Sequence, residues 1–373
     1  MRITAVRAWL VSIPLAAPYV ISRGSLDRFT NVVVRVDTDA GLSGFGEAVP
    51  VSLLGDPREY ARIIETLYAP ALLGRDPREI EPIVDALLTM PGSTAAVAGI
   101  DLALWDIAAS SLGAPVSALL GGAGVAAVAA VAVDYTMSVD APEAMVATAR
   151  AVTAAGFRGV VVKVACRDVA ADVACVRAVR AALPAGSSLR VDCNGGYGRD
   201  DALAFLAAID GLAVEFVEQP VAAADLEGMA LCRGRGVAIA ADESLSTPAD
   251  ALALLQHRAC DVMNVKVPKA GGLLQAKRVA AIAAAAGLPL VVGGGLTFGI
   301  SRFASQHLAA SSTAAQGRCH QGPGPASQAL TDDITTPRVT RAVVSAHAGC
   351  VPVPTGPGLG FTVDEAKLAA YAA

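Results

Sequence analysis

The chain has 373 residues, of which 54% are hydrophobic and 17% are charged. This length suits about two domains, or one barrel with a cap, and the composition excludes a disordered chain. The 29 basic and 34 acidic side chains give a formal net charge of −5 and form no basic tract. Nucleic acid and membrane surfaces are therefore not expected as partners.

The cysteines and the first residues indicate a compartment. Seven cysteines are scattered along the chain, an odd number without a C-x-x-C pair. This usage favours a reducing cytoplasm and argues against a disulfide framework or a structural zinc site. The opening run MRITAVRAWLVSIPL has Arg2 and Arg7 among its apolar residues, so we predict a strand there and not a signal peptide.

The first part of the chain mixes strand and helix patterns. Residues 30–37 (TNVVVRVD) are rich in β-branched side chains and precede a glycine-rich stretch, as in a hairpin. The sequence Asp-Pro-Arg-Glu occurs at 56–59 and again at 76–79, and in each copy Asp can cap a helix whose first residue is Pro. A long apolar helix is predicted over about residues 92–112.

From about residue 127 short Val/Ile-rich runs alternate with alanine-rich stretches. A polar residue closes five of these runs, and the gaps between these residues are 29, 26, 24 and 24 by subtraction, about one strand–helix unit each. The five residues are Lys163, Asp192, Glu218, Asp242 and Lys266. We predict a parallel (β/α) barrel of the TIM type, whose active site lies at the carboxyl ends of its strands. A doubly wound open sheet is the alternative, although no G-x-G-x-x-G follows an early strand.

One stretch imitates a membrane span. Residues 279–300 contain no charged side chain, and this length could cross a bilayer. Gly287 and Pro289 interrupt it, and three glycines follow at 293–295. We therefore predict a helix, a turn and a buried strand.

Lysine is uncommon in this chain, and two of the lysines lie in apolar predicted strands. Only five of the 29 basic residues are lysines. Lys163 and Lys266 lie within valine-rich strands, where a charge is costly unless it is paired or functional. Lysine can act as a base when its pKa is lowered, whereas arginine cannot. We predict that Lys163 and Lys266 are an acid/base pair; structural ion pairs at a barrel rim are the alternative.

Three carboxylates end consecutive strands between these lysines. Asp192, Glu218 and Asp242 would repel one another unless a cation lay between them. Oxygen ligands without histidine or cysteine suit Mg²⁺, with Mn²⁺ as a second choice. Helix capping is the alternative role for such residues when each is taken singly.

Together these groups predict one mechanism. The metal would bind a substrate carboxylate and stabilise the enediolate that forms when the α-proton leaves. One lysine would remove that proton, and the other would return it or support the charge.

These motifs resemble those of the enolase superfamily, in particular its muconate cycloisomerase-like branch (the mandelate racemase/muconate lactonizing enzyme family), over nearly the whole chain. The matching segments are ALWDIAASSLGAPVSALLGG at 103–122, VDCN at 191–194, VEQP at 217–220, ADES at 241–244, NVKV at 264–267 with GGL at 271–273, GPGPASQALTDDI at 322–334, and GPGLG at 356–360.

The resemblance implies a (β/α)7β barrel at 126–349 beneath an α+β capping domain at 1–125, to which 350–373 return. It implies the metal-ligand and acid/base roles given above, with Asn194 and Glu243 supporting the site. It also implies that cap loops near 16–28 and 50–56 select the substrate, a small-molecule carboxylate, and that the protein is a homo-oligomer.

The chain departs from the family pattern at three points. Val161 replaces the first lysine of the usual Lys-x-Lys, which assists and is not the base. The eighth-strand segment carries His320 and Gln321 where relatives have acids, which argues against recognition of a free ammonium group; both residues are candidate substrate contacts. Glycines follow the seventh strand where a histidine would indicate histidine–aspartate chemistry.

We therefore expect a metal-dependent isomerase, either a racemase/epimerase or a cycloisomerase. A dehydratase could use the same site, because the same enediolate can expel a β-hydroxyl group. Two other classes are a barrel that binds a phosphate ligand through the glycines at 293–295 and a non-catalytic homologue.

Overall fold

The structure is a computed structural model that describes residues 1–21, 24–50, 56–122, 128–315, 330–338 and 340–373. Several predicted features lie outside the described residues. They are His320, Gln321, most of the loop at 50–56 and most of the segment at 322–334.

The chain begins with a three-stranded antiparallel sheet in the order β1-β2-β3. Its strands are β1 (Ile3–Ile21), β2 (Gly24–Thr38) and β3 (Ser43–Ala48). Val32, Val34 and Val36 alternate along β2 and are fully buried, as expected for one face of a sheet packed on helices. The predicted N-terminal strand and hairpin are thus confirmed.

Helices cover one face of this sheet. They are α1 (Pro57–Ile63), which continues through a π-helical turn (Ile64–Tyr68) into α2 (Ala69–Leu72), then α3 (Ile80–Thr89) and α4 (Thr94–Ser111). The helix predicted at about 92–112 is confirmed as α4. We refer to residues 1–122, as far as they are described, as the N-terminal unit.

The two Asp-Pro-Arg-Glu sequences behave differently. Asp56 caps α1 as predicted, because its side chain accepts a hydrogen bond from the Arg58 N–H at 2.9 Å. The second prediction is wrong: α3 begins at Ile80, after the motif. There Asp76 binds both the backbone N–H and the guanidinium of Arg78, and its carbonyl accepts from the Glu79 N–H. The guanidinium contact is the one that differs from the first motif, where Arg58 Nη1 lies 3.8 Å from Asp56 Oδ1, and residues 76–79 form a turn before the helix starts.

Seven of the described strands form a parallel sheet in the order β11-β10-β9-β8-β7-β6-β5. They are β5 (Tyr135–Thr136), β6 (Gly159–Lys163), β7 (Ser188–Asp192), β8 (Phe216–Glu218), β9 (Ala238–Ala241), β10 (Val262–Val265) and β11 (Leu290–Val292). The intervening helices are α5 (Pro142–Ala154), α6 (Val169–Ala182), α7 (Arg199–Ile209), α8 (Leu226–Cys232), α9 (Pro248–Gln256), α10 (Val267–Ala270), α11 (Leu273–Ala285) and, after β11, α12 (Gly299–Ser311).

The strand order distinguishes the two folds considered from the sequence. Each described parallel strand lies beside the one that precedes it in the chain. A doubly wound sheet reverses its strand order at a switch point, and the described strands contain no such reversal. The alternative of a doubly wound sheet is therefore wrong.

The end of the chain returns to both parts of the molecule. β13 (Cys350–Pro352) pairs with β4 (Ala130–Ala132), at the start of the parallel region. Farther on, Gly358 O accepts from Val116 N at 2.9 Å, and Ala373 N donates to Leu10 O at 2.8 Å. The remaining short elements are β12 (Thr335–Thr336), a helix (Arg341–Ala346), β14 (Thr362–Val363) and a last helix (Glu365–Tyr371).

The uncharged stretch at 279–300 is divided as predicted. It comprises the end of α11, the buried strand β11 and the start of α12. Within the described part of the chain, no helix combines the length and apolar character that crossing a membrane requires.

Candidate active site

The five polar residues predicted at strand ends lie at one edge of the parallel sheet. Lys163, Asp192 and Glu218 are the last residues of β6, β7 and β8, whereas Asp242 and Lys266 directly follow β9 and β10. The strand register pairs Lys163 with Asp192, and Asp192 with Glu218. The sequence pattern therefore predicted this edge correctly.

Lys163 is held by two partners at the end of the next strand, β7, and just after it. All five residues of β6 are buried, and only 8% of Lys163 is exposed. Its ammonium group donates to Asp192 Oδ2 and, at 2.9 Å, to Asn194 Oδ1. Burial alone would lower the pKa of Lys163, but the charges of Asp192, Tyr19 and Glu218 together outweigh burial and raise it. The partners thus satisfy a charge that the apolar strand could not bury alone.

Asp242 binds two lysines on the other side of the site. Lys266 Nζ donates to Asp242 Oδ2, and Lys269 Nζ donates to Oδ1 at 2.6 Å. Burial would raise the pKa of Asp242, but the two ammonium groups hold it well below its ordinary value. Sequence reasoning missed Lys269, although one signal was available: it is one of only five lysines and follows Lys266 by a single helical turn.

Glu218 lies between these pairs and is 1% exposed. Its Oε1 accepts a hydrogen bond from Asn264 Nδ2 at 2.8 Å. Burial, together with the charges of Asp192 and Asp242, raises its pKa well above the ordinary value. The three carboxylates are thus close enough to repel one another.

The chemistry of this donor set fits a hard divalent cation. Three buried carboxylates without histidine or cysteine offer the oxygens that Mg²⁺ prefers. Among the described residues, no three Asp, Glu, His or Cys side chains are arranged so that they could hold a metal ion as they stand. Asp192 and Asp242 bind lysines instead. A cation would compete for the same oxygens and relieve the repulsion around Glu218.

Asn194 and Glu243 lie in the loops that follow β7 and β9, beside the carboxylates. Asn194 Nδ2 donates to Glu243 Oε1 at 3.1 Å, and the Asn194 N–H donates to Asp192 Oδ1 at 2.8 Å. Asn194 has a φ of 45°, a region that asparagine tolerates better than most residues. Burial raises the pKa of Glu243, and the charges of Asp242 and Asp192 raise it further. Asn194 therefore contacts Asp192 directly, and Glu243 contacts Asn194.

Gln219 braces the loops after β8 and β9 and was also missed. It is fully buried, and its amide oxygen accepts from Asp242 N at 3.1 Å and from Ser244 Oγ at 2.7 Å. Its Nε2 donates to Val221 O at 2.9 Å. The VEQP motif contains this residue, but only the fold reveals what it holds.

Tyr19 approaches the site from β1 of the N-terminal unit. It is 7% exposed, and the charges of Lys163, Asp192 and Lys266 all act on its hydroxyl group. Burial raises the pKa of Tyr19, and the two lysines oppose that rise. The resemblance implied a substrate-selecting loop at 16–28, but this segment belongs to strands β1 and β2 wherever it is described. Sequence reasoning did not single out Tyr19, because its neighbours in the site lie more than one hundred positions away.

Glycines at 293–295 follow β11, as expected for a chain without the histidine of the histidine–aspartate type. The Gly293 N–H donates to Val265 O at 2.8 Å, directly before Lys266. His320 and Gln321 lie outside the described residues, so their predicted substrate contacts stay predictions.

Two family models match most of the chain. The model for the mandelate racemase/muconate lactonizing enzyme N-terminal domain covers residues 3–121, and the enolase C-terminal domain-like model covers residues 144–367. Together they include the N-terminal sheet and all five strand-end residues.

Curated relatives match over long spans. The L-Ala-D/L-Glu epimerase of Bacillus subtilis (strain 168) is 33% identical, covering 83% of this chain and 86% of the relative. The chloromuconate cycloisomerase of Pseudomonas putida is 30% identical, covering 99% and 98%.

Solved structures of similar proteins superpose on nearly the whole chain. The N-succinyl Arg/Lys racemase of Bacillus cereus superposes with a TM-score of 0.92 at 28% identity, covering 100% of this chain and 98% of that one. A dipeptide epimerase of Cytophaga hutchinsonii, solved with Mg and the dipeptide D-Ala-L-Val, has a TM-score of 0.89 at 28% identity, covering 99% and 98%. The predicted class of enzyme, an isomerase, is confirmed by these relatives. The chain belongs to the mandelate racemase/muconate lactonizing enzyme family of the enolase superfamily.

Proposed function

We propose that this enzyme is a Mg²⁺-dependent racemase or epimerase that moves the α-proton of an amino-acid-derived carboxylate. The observation that carries the proposal is the arrangement of Lys163 and Lys266, which flank three buried carboxylates at one sheet edge. In strand order, Lys163 belongs to β6 and Lys266 follows β10, with the carboxylate strands β7, β8 and β9 between them.

This arrangement suits proton transfer between two faces of one carbon atom. A substrate above the carboxylates would have one lysine on each side. One amine can then remove the α-proton while the opposite ammonium group delivers another, which inverts the centre. The ammonium groups of Lys163 and Lys266 already lie at the carboxylates Asp192 and Asp242.

Asp192, Glu218 and Asp242 would hold the Mg²⁺, with Mn²⁺ as the alternative. The bound ion would supply positive charge opposite the substrate carboxylate as negative charge develops on it. Asn194 keeps Asp192 oriented through its backbone N–H, and Gln219 does the same for the backbone at Asp242.

The substrate class follows from what the chain lacks. His320 and Gln321 stand where dipeptide epimerases have Asp-x-Asp, and residues 314–330 around them contain no Asp or Glu. A free ammonium group would lack its counter-charge, so we propose a substrate whose nitrogen is acylated, alkylated or part of a ring. The N-succinyl-L-Arg/Lys racemase of Bacillus cereus, 31% identical over 83% of this chain, is a relative with an acylated substrate in its name.

We further propose how the described parts complete the fold. The parallel sheet would belong to a (β/α)7β barrel at 126–349. Residues 1–125 and 350–373 would form the cap, with β13 still paired to β4 at the boundary. Assembly into a homo-oligomer is also a proposal, and rests on the family resemblance alone.

Cycloisomerisation is the second candidate, because the chloromuconate cycloisomerase of Pseudomonas putida matches over 99% of this chain. No comparable observation favours a dehydratase. The phosphate-binding alternative leaves the carboxylates unexplained, and one of its three glycine N–H groups already donates to Val265 O.

The test is proton NMR of carboxylates incubated with the enzyme and Mg²⁺ in D₂O. The panel includes N-acylated, cyclic and N-methylated amino acids, dipeptides and muconate. The double variant Lys163→Met/Lys266→Met removes both amines while keeping similar side-chain length, and Lys277→Met is the matched control because Lys277 is exposed and outside the site. We expect α-deuterium in an N-substituted amino acid with the wild type and the control alone. Exchange that persists in the double variant would contradict the proposal, and turnover of muconate alone would favour the second candidate.

A further inference from the structure

Glu47 is a buried carboxylate of the N-terminal unit that reaches into the parallel region. It lies on β3 and is fully buried. Its Oε1 accepts from the Phe298 N–H at 2.8 Å, and its Oε2 accepts from the Ser301 N–H at 3.0 Å. Phe298 precedes α12 and Ser301 lies in its first turn. A carboxylate is favourable there, because the first N–H groups of a helix lack partners within it.

Asn31 adds a second attachment at the same place. It lies on β2, is 1% exposed, and its Nδ2 donates to Glu47 Oε1 at 2.7 Å. The same Nδ2 donates to Leu296 O, also at 2.7 Å. Asn31 and Glu47 thus bind a carbonyl and an amide of the loop that joins β11 to α12.

This loop, residues 293–298, contacts β10, the strand that directly precedes Lys266. It begins with three glycines, which have no side chains to anchor it. Its first residue, Gly293, donates its N–H to Val265 O at 2.8 Å. The loop is therefore attached at one end beside Lys266 and at the other end to Asn31 and Glu47.

The strand end at Lys163 is supported by a different buried carboxylate. Asp172, in α6, accepts from the Ala165 N–H at 2.8 Å and from the Tyr197 hydroxyl at 2.7 Å. It is fully buried. These supporting contacts come from the parallel region itself, so the two lysines depend on separate carboxylates.

We propose that Glu47, together with Asn31, is a positioning residue for the Lys266 side of the active site. It fixes the loop at 293–298 against the end of β10 and so holds Lys266 where it faces the substrate. This inference rests on the proposed two-lysine function. It makes the N-terminal unit responsible for the geometry of one of the two acid/base groups.

The test compares Glu47→Gln with the wild type on the substrate identified by the panel. Each enantiomer is incubated separately in D₂O, and deuterium is measured in the substrate recovered without inversion. The enantiomer whose exchange Lys266→Met abolishes reports on Lys266, and the other reports on Lys163. A glutamine amide nitrogen cannot accept the N–H of Phe298 or Ser301, so the loop loosens. We expect Glu47→Gln to slow the Lys266-dependent exchange at least about 10-fold more than the other, since small misplacements of a catalytic group have large effects.

Asp106→Asn is the matched control. Asp106 is a carboxylate of the N-terminal unit that also binds two backbone N–H groups, those of Phe45 at 3.1 Å and Leu359 at 2.9 Å. Neither lies at the strand-end edge, so the ratio of the two exchange rates should stay at the wild-type value. Asp172→Asn should shift that ratio in the opposite direction from Glu47→Gln.

A Glu47→Gln ratio equal to that of Asp106→Asn would overturn the inference, because a merely structural role lowers both exchanges together. If Glu47→Gln does not fold, Asn31→Ser, which keeps Glu47, is measured in its place with the same criterion. Absence of exchange in the wild type would instead refute the proposed function, and is thereby distinguished from failure of this inference.

Discussion

At the scale of single residues, a substitution of Tyr19 distinguishes contact with the substrate from a purely structural role. Its hydroxyl group lies within the influence of both lysines. We expect Tyr19→Phe to lower kcat/KM about 3- to 10-fold through KM, which is the size of one lost hydrogen bond. The measurement is steady-state kinetics on the identified substrate.

Tyr68→Phe is the control for that experiment. Tyr68 is fully buried in the N-terminal unit, and among the described residues its hydroxyl group has no hydrogen-bond partner. Its removal should leave kcat/KM unchanged. Equal effects of the two substitutions would show that Tyr19 acts only through packing.

The residues that sequence reasoning found and missed differ in one physical respect. Lys163 and Lys266 were found because a lysine inside a run of valines is costly, and that cost is visible locally. Tyr19 and Glu47 were missed because their significance depends on contacts with residues far away in the chain. Composition and spacing carry no information about such contacts until the fold brings the segments together.

At the scale of elements, the packing of β3 on α4 depends on glycine. A Cβ atom at Gly46 would lie 1.8 Å from Gly99 O, and one at Gly44 would lie 2.2 Å from Ala103 O. The helix backbone therefore lies directly against the strand, and side chains larger than hydrogen have no room there.

Gly46→Ala should lower the free energy of unfolding by at least about 2 kcal/mol, because strand and helix must separate. Gly356→Ala is the matched control, since nothing lies within 4 Å of its Cβ position and its φ is not positive. That change should be close to neutral. Urea unfolding of the two variants checks the pair, and similar losses would contradict the packing described.

Helices and strands were predictable where no other local contact competed with the sequence pattern. Asp56 capped its helix as predicted, whereas at 76–79 the Arg78 guanidinium also binds both oxygens of Asp76, and the helix starts only at Ile80. The ends of the parallel strands were predicted to within one residue, because a charged side chain at the end of an apolar run marks where the buried strand ends. The segment at 316–329 lacks such a pattern.

At the scale of the whole molecule, Asp101 joins the N-terminal unit to the parallel region. It lies in α4, is fully buried, and accepts the N–H groups of Leu273 and Leu274 at the start of α11. Burial raises its pKa from 3.8 to about 7, against the effect of these two donors. The folded protein therefore keeps a proton that the unfolded chain releases above about pH 4.

The raised pKa of Asp101 sets the direction in which the free energy of unfolding changes with pH. A carboxyl group with a raised pKa stabilises the fold at low pH, and that contribution is lost as pH rises through 7. Relative to Asp101→Asn, the wild type should lose about 3 kcal/mol of unfolding free energy between pH 5 and pH 8. Urea unfolding at both pH values measures this difference, and the variant cancels the titration of other groups. A difference that is constant or grows with pH would contradict the assignment.

The overall architecture could be predicted because it repeats. Strand and helix signals alternate at nearly constant spacing from about residue 127, and the sequential strand order follows from short connections. The docking of the N-terminal unit could not be predicted, because Asp101 and Glu47 bind backbone groups, which every residue possesses.

The most direct test of the two-lysine account is α-deuterium exchange measured for each substrate enantiomer with Lys163→Met and Lys266→Met separately. If the lysines serve opposite faces, each variant loses exchange from one enantiomer and retains it from the other, and the two patterns are mirror images. If both variants lose exchange from the same enantiomer alone, or if either retains both at the wild-type rate, the lysines do not serve opposite faces and the account is wrong.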